Sequence, residues 1–163
     1  MKKYILSLFL LSCVLTSFAQ DAFIKYTNIP INLYKGPIGI DVDFIFVQDT
    51  INETNYYDVY FIESSPLRFK VKLHEEGSIL NPIEGWIDKD CVAVWPRHKN
   101  EKEIYLYVEP CIQSAKIKLY DTPQIYTVID YTGDWRKVIC NINGKIYIGW
   151  TKEYCPNTYN SCT

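Results

Sequence analysis

The chain has 163 residues, 48% hydrophobic and 15% aromatic, with 22% charged and a formal net charge of −2. That length allows one ordinary domain or two small ones. The mild acidic balance excludes the basic footprint with which nucleic-acid binders displace counterions, and it disfavours adsorption to anionic polymer or lipid.

The N-terminus reads MKKYILSLFLLSCVLTSFAQ. Lys2 and Lys3 form a basic start, Ile5 to Val14 an apolar core, and Ser17-Phe18-Ala19 a small-residue cleavage pattern. This is the layout of a secretory signal, residues 1–19, cut before Gln20. Leu10-Leu11-Ser12-Cys13 also resembles a bacterial lipoprotein box, but cutting there would leave a greasy start at Val14-Leu15-Thr16-Ser17-Phe18. Soluble export to the periplasm or beyond is therefore expected over a lipid anchor on Cys13. The apolar run is too short to cross a bilayer, and no later run approaches the required length. Without Lys2 and Lys3, the 17 basic residues fall to 15 against 19 acidic ones, and the mature chain carries −4.

Beyond the leader the pattern alternates with period two, the mark of half-buried strands. Ile104-Tyr105-Leu106-Tyr107-Val108 puts aliphatic residues on one face and tyrosines on the other. Val138, Cys140 and Ile142 share one side of the next clear strand. Asn143-Gly144 follows, a pair that tolerates positive φ and marks a tight hairpin. Ile146, Ile148 and Trp150 then alternate back.

Four segments recur in the same order. Ile31-Asn32-Leu33-Tyr34 matches Ile104-Tyr105-Leu106-Tyr107, and Phe61-Ile62-Glu63 matches Val128-Ile129-Asp130. Lys70-Val71 matches Lys137-Val138, and Gly85-Trp86 matches Gly149-Trp150, each followed at the same distance by Cys91 or Cys155. Strand motifs in fixed order with variable gaps indicate a duplication with loop insertions. The first repeat spans residues 22–94 and carries inserts at 48–58 and 74–82. The second spans 103–155. Residues 95–102 between them, polar and with Pro96, read as a linker; residues 156–163 are a tail. Short strands in so small a unit would leave bare edges, which closure into a barrel removes.

Cys91, Cys111, Cys140, Cys155 and Cys162 remain after the leader, and in an exported chain cysteines tend to pair. Cys155 with Cys162 would pin the tail, and Cys91 with Cys111 would clamp the two repeats. Cys140, on a core face, reads as a buried free thiol. Spacing does not settle connectivity, so a Cys111–Cys140 bridge stays open.

The second repeat resembles a bacterial SH3-like (SH3b) domain. The resemblance rests on Leu106-Tyr107, on Gly133-Asp134-Trp135-Arg136-Lys137-Val138, on Asn143-Gly144-Lys145 and on Ile148-Gly149-Trp150, and covers residues 104–154. The first repeat keeps Leu33-Tyr34, Phe69-Lys70-Val71 and Gly85-Trp86, but has Arg68 level with Trp135 and Asp90 level with Tyr154. The resemblance implies an all-β protein of two small barrels in tandem. It also implies a ligand groove built from Tyr107, Trp135 and Tyr154, with Tyr131 and Tyr105 beside them. Flat amphipathic rings suit such a groove, because they bury much area at little entropic cost. Bacterial relatives of this kind are often attached to cell-wall enzymes and bind peptidoglycan.

Catalysis finds no constellation. His74 and His98 are the only histidines, and neither has a cysteine partner in a recognisable motif. No C-x-x-C or H-x-x-x-H spacing points to a metal, and no cofactor is expected. The sequence therefore points to a non-catalytic, exported binding module that takes peptidoglycan or an envelope peptide in the aromatic groove of the second repeat. The competing expectation is a protein-interaction factor (inhibitor, immunity or assembly protein) that acts through the 48–58 insert.

Overall fold

Alternation dictates most of the elements. The computed structural model describes residues 21–25, 30–46, 57–75, 81–97, 104–121, 123, 125–152 and 154–156. Its strands are β1 (Ala22–Ile24), β2 (Ile31–Tyr34), β3 (Val42–Phe46), β4 (Tyr57–Ser64), β5 (Arg68–Glu75), β6 (Ile83–Asp88) and β7 (Val92–Pro96). They continue with β8 (Ile104–Tyr107), β9 (Lys116–Leu119), β10 (Tyr126–Thr132), β11 (Trp135–Ile142), β12 (Lys145–Thr151) and β13 (Tyr154–Cys155). A 3₁₀ turn, Lys89–Cys91, joins β6 to β7. Every pairing is antiparallel. The chain is all-β, and no helix among the described residues is long and apolar enough to cross a membrane.

The strand order is β3-β2-β6-β5-β4-β1-β7-β10-β11-β12-β8-β9, with β13 branching from β7. Read from each end inward, the two halves are the same: β3-β2-β6-β5-β4 and β9-β8-β12-β11-β10. The register repeats as well. Glu63 faces Lys70 and Lys70 faces Trp86; Asp130 faces Lys137 and Lys137 faces Trp150. A bulge interrupts β4 between Phe61 and Glu63 and β10 between Val128 and Asp130. The four matched segments thus occupy equivalent places. At the β11–β12 turn, Asn143 (φ 53°) and Gly144 (φ 82°) adopt the expected left-handed pair, and the Gly144 N–H donates to Asn141 Oδ1 at 2.9 Å.

The join between halves departs from expectation. Trp95 and Pro96, read as linker, lie in β7, which pairs with β1, β10 and β13. β7 follows the 3₁₀ turn of the first unit and also pairs with β10, as β1 pairs with β4. With its β4 and β10 edges taken this way, neither unit closes on itself. The hydrogen-bonded path is one large open sheet, not two closed barrels. Its ends are β3 and β9, where Lys116 and Lys118 blunt the β9 edge against further pairing. Ile24, Leu33, Val59, Phe69 and Ile87 bury together with Leu106, Tyr126, Val128 and Val138 in one core running through both units.

β4 and β10 run past β1 and β7 and meet. Phe61 stacks on Tyr131 at 4.5 Å between centroids, inclined by 12°. Ser64 Oγ donates to Asp130 Oδ1 at 3.2 Å, and Lys89 Nζ donates to the Ile129 carbonyl at 2.8 Å. His74, expected in a loop, lies in β5, where its ring meets Tyr60 edge-on at 5.3 Å. The leader with Cys13, most of the 48–58 insert, His98, and the tail with Cys162 lie outside the described residues.

Candidate functional site

In both units a Leu-Tyr pair on one strand locks into a Gly-Trp pair on the next. Tyr107 faces Trp150, and Leu106 fills the space that a side chain on Gly149 would need. Tyr34 likewise faces Trp86, and Leu33 covers Gly85. The glycine side faces the core and the Tyr–Trp side faces away from it, although Trp86 and Trp150 are themselves buried. Directly opposed residues share a face, so the outer face of the second unit carries the row Asp130, Lys137, Trp150, Tyr107, Lys116. The first unit carries Glu63, Lys70, Trp86, Tyr34, Val42 in the same places.

The corner beside each tyrosine is where the units diverge. In the first, the Arg68 guanidinium lies over the Tyr34 ring, 3.3 Å from its centroid. Arg68 Nε donates to Asp88 Oδ1 at 2.7 Å, Tyr34 Oη donates to Asp88 Oδ2 at 3.1 Å, and Arg68 Nη1 donates to the Gly36 carbonyl at 3.1 Å. Arg68 is only 8% exposed. In the second unit Trp135 takes the place of Arg68 and meets Tyr107 edge-on, with centroids 5.2 Å apart and planes at 80°. Lys152, one step beyond the Arg136–Thr151 pair, stands where Asp88 stands. Its Nζ is 5.6 Å from the Trp135 ring, and Lys116 Nζ is 5.2 Å from that of Tyr107. Both lysines are exposed.

The structure divides the five residues expected in or beside the groove, and Tyr105 lies on β8 with its ring 5.5 Å from Lys116 Nζ. Tyr107 and Trp135 share this outer corner. Tyr131 and Tyr154 surround Arg136, whose side chain leaves β11 by the face opposite to that of Trp135, its chain neighbour. Arg136 Cζ is 5.9 Å from the Tyr131 ring, 5.1 Å from Tyr154 and 5.3 Å from Phe61. Arg136 is 2% exposed and paired with Asp21 through Nη2 and Oδ1. Its Nη1 donates to the carbonyls of Gly133 at 2.7 Å and Trp135 at 3.1 Å. Burial pushes the Tyr131 and Tyr154 phenols above their ordinary range, against the pull of Arg136. These two tyrosines hold the seam between units.

Lys116 and Lys152 escaped the sequence reading, although the equal offset of Asp88 and Lys152 from their Gly-Trp pairs marks the second of them. Among the described residues no group of three His, Cys, Asp or Glu could hold a metal.

Cys91, Cys111 and Cys140 are free thiols, so the expected Cys91–Cys111 clamp is not formed, nor is the alternative with Cys140. Cys91 ends the 3₁₀ turn, whereas Cys111 sits exposed on the β8–β9 connection at the sheet's far end. Spacing along the chain had no access to that separation. Cys155 is buried and not among the free thiols, and its expected partner Cys162 lies outside the described residues. Burial pushes the Cys91 thiol up to about 12, reinforced by Asp90, and the Cys140 thiol up to about 11. Because the thiolate is the reactive form, Ellman's reagent at pH 8 is expected to label Cys111 first among these three. Cys111→Ser should remove that fast phase, and its persistence would contradict this assignment.

Compared with known proteins, the chain matches no family model, no curated protein and no solved structure.

Proposed function

We propose that this is a non-catalytic binding protein of the cell envelope, built from two SH3-like units, whose second unit holds its ligand on the Tyr107–Trp135 corner. One observation carries the reading. The same corner is built twice, and in the first unit the chain fills it with its own Arg68–Asp88 ion pair. In the second unit two half-buried rings stand there, flanked by exposed lysines. The first unit supports the second through the shared core. Tyrosine and tryptophan are enriched among the anchors of binding surfaces. Export through the leader would place the protein in the periplasm or outside the cell, with peptidoglycan or an envelope peptide within reach.

The test is retention of residues 20–163 on purified peptidoglycan and on solubilised envelope protein, beside Trp135→Ala and Tyr107→Ala. Each variant is expected to bind about ten-fold more weakly or worse, as for loss of an aromatic anchor, while still folding cooperatively. A partner captured equally by all three forms would overturn the proposal and move the function to the 48–58 insert.

A further inference from the structure

The first unit contains a template for the ligand of the second. Asp88 lies at the end of β6, one residue before the 3₁₀ turn, and its carboxylate is held against the aromatic row by Tyr34 Oη and Arg68 Nε. The second unit keeps the tyrosine as Tyr107 and replaces the acid with Lys152 and the arginine with Trp135. The corner therefore loses its internal carboxylate and gains a cation at the same ladder position. The row behind it is unchanged: Trp150 stands for Trp86, Lys137 for Lys70 and Asp130 for Glu63. Lys116 replaces Val42 at the far side of the tyrosine and adds a second cation. Among the described residues neither Lys116 nor Lys152 makes an ion pair; each lies beside a ring.

Resting on the proposed binding role of this corner, we infer that the ligand presents a carboxylate, carried on an extended peptide, and that it sits where Asp88 sits in the first unit. Tyr107 Oη donates to it as Tyr34 Oη donates to Asp88, and Lys152 supplies the charge that Arg68 supplies there. Trp135 covers the adjoining backbone with its ring. Lys116, across Tyr107, favours a second acidic group further along the same peptide. A neutral glycan lacks the group that this corner is charged to receive, and a basic peptide is repelled from it.

The probes are N-acetylated tri-aspartate and its tri-asparagine counterpart, titrated into the mature, isotope-labelled protein. The readout is the Trp135 indole N–H signal, assigned by its absence in Trp135→Phe. Tri-aspartate is expected to shift that signal saturably, and tri-asparagine to leave it in place. Lys152→Gln should weaken binding about ten-fold, the loss that follows removal of a charged hydrogen-bond donor. Lys152→Asp should abolish it by restoring an internal acid, and Trp135→Arg/Lys152→Asp, which rebuilds the first unit's corner, should abolish peptidoglycan or envelope-protein retention as well. Equal response to both probes, no response up to the solubility of tri-aspartate, or unchanged affinity in Lys152→Asp would each overturn the inference. Retention lowered by Trp135→Ala but not by Lys152→Asp would sink the carboxylate alone and leave the binding face standing. Retention indifferent to both would sink the two together.

Discussion

Replacing Arg136 by methionine is expected to lower the stability of the fold by about 3 kcal/mol, the lower end of what breaking a buried ion pair costs. The lower end applies because Asp21 keeps the Phe61 N–H as a donor at 2.9 Å and its side chain is 27% exposed. The loss has three sources. The Asp21 carboxylate is left without its cation, the Gly133 and Trp135 carbonyls lose a donor, and the planar packing among Phe61, Tyr131 and Tyr154 disappears. Urea unfolding of the two forms measures it, and a loss below about 1 kcal/mol, the size of an exposed pair, would show that the seam does not depend on this arginine. The variant also carries a pH signature. Burial raises the Asp21 carboxyl above its ordinary 3.8, while the Phe61 N–H and Arg136 pull it back. Above 3.8 the native state then holds more proton than the unfolded chain, so this group's contribution is fully present below 3.8 and is lost as pH rises through the folded value. Without Arg136 that value climbs further, and Arg136→Met should lose more stability than the parent between pH 4 and neutrality.

The second large effect is expected at Gly149. A Cβ there would lie 2.7 Å from Leu106 Cβ and 3.0 Å from the Tyr107 carbonyl oxygen. Neither atom is the free end of a side chain, so β8 itself must move away from β12. Gly149→Ala should cost about 2–3 kcal/mol, the upper range for overpacking, and should weaken ligand retention because Tyr107 moves with its strand. At Gly85 the nearest atoms are Leu33 Cγ and Cδ2, at 2.4 and 2.7 Å, beyond the Cβ of that side chain. Double variants separate the two cases. Leu33→Ala removes the obstruction, so Gly85→Ala/Leu33→Ala should be less damaging than the sum of its parts. Leu106→Ala keeps its Cβ, so Gly149→Ala/Leu106→Ala should be close to additive. Additivity in both pairs, read from denaturant midpoints, would refute this account of the Gly-Trp motif.

The duplication was legible because it is written in local pairs. Leu-Tyr and Gly-Trp are adjacent residues with opposite faces, and the strand period turns that adjacency into one contact in the core and one on the surface. The Asn143-Gly144 hairpin was legible for a similar reason, since its φ angles belong to those two residues alone. The joining strands were not. Ala22-Phe23-Ile24 and Val92-Ala93-Val94 are buried without alternation, so their composition names no face and no partner. The role of Arg136 was half visible. It shares parity with Val138 and Cys140, which marks it as inward, but its counter-ion Asp21 lies 115 residues away and no pattern in the chain connects them. At the corner proposed to bind, the rings are legible in the sequence, while its lysines are not, because charge on an alternating strand looks like ordinary solvation. The equal offset from Gly-Trp sets Lys152 level with Asp88, and the ladder places both beside the tyrosine of their unit.

The strand Val92–Pro96 finishes one copy and begins the next. In heredity the two copies have therefore ceased to be modules. A recombination joint on either side of this strand leaves one of them short by a strand, so neither can be traded, lost or transplanted alone. Yet the copies differ around one tyrosine, Arg68 against Trp135, Asp88 against Lys152 and Val42 against Lys116, while the remaining places of the row correspond.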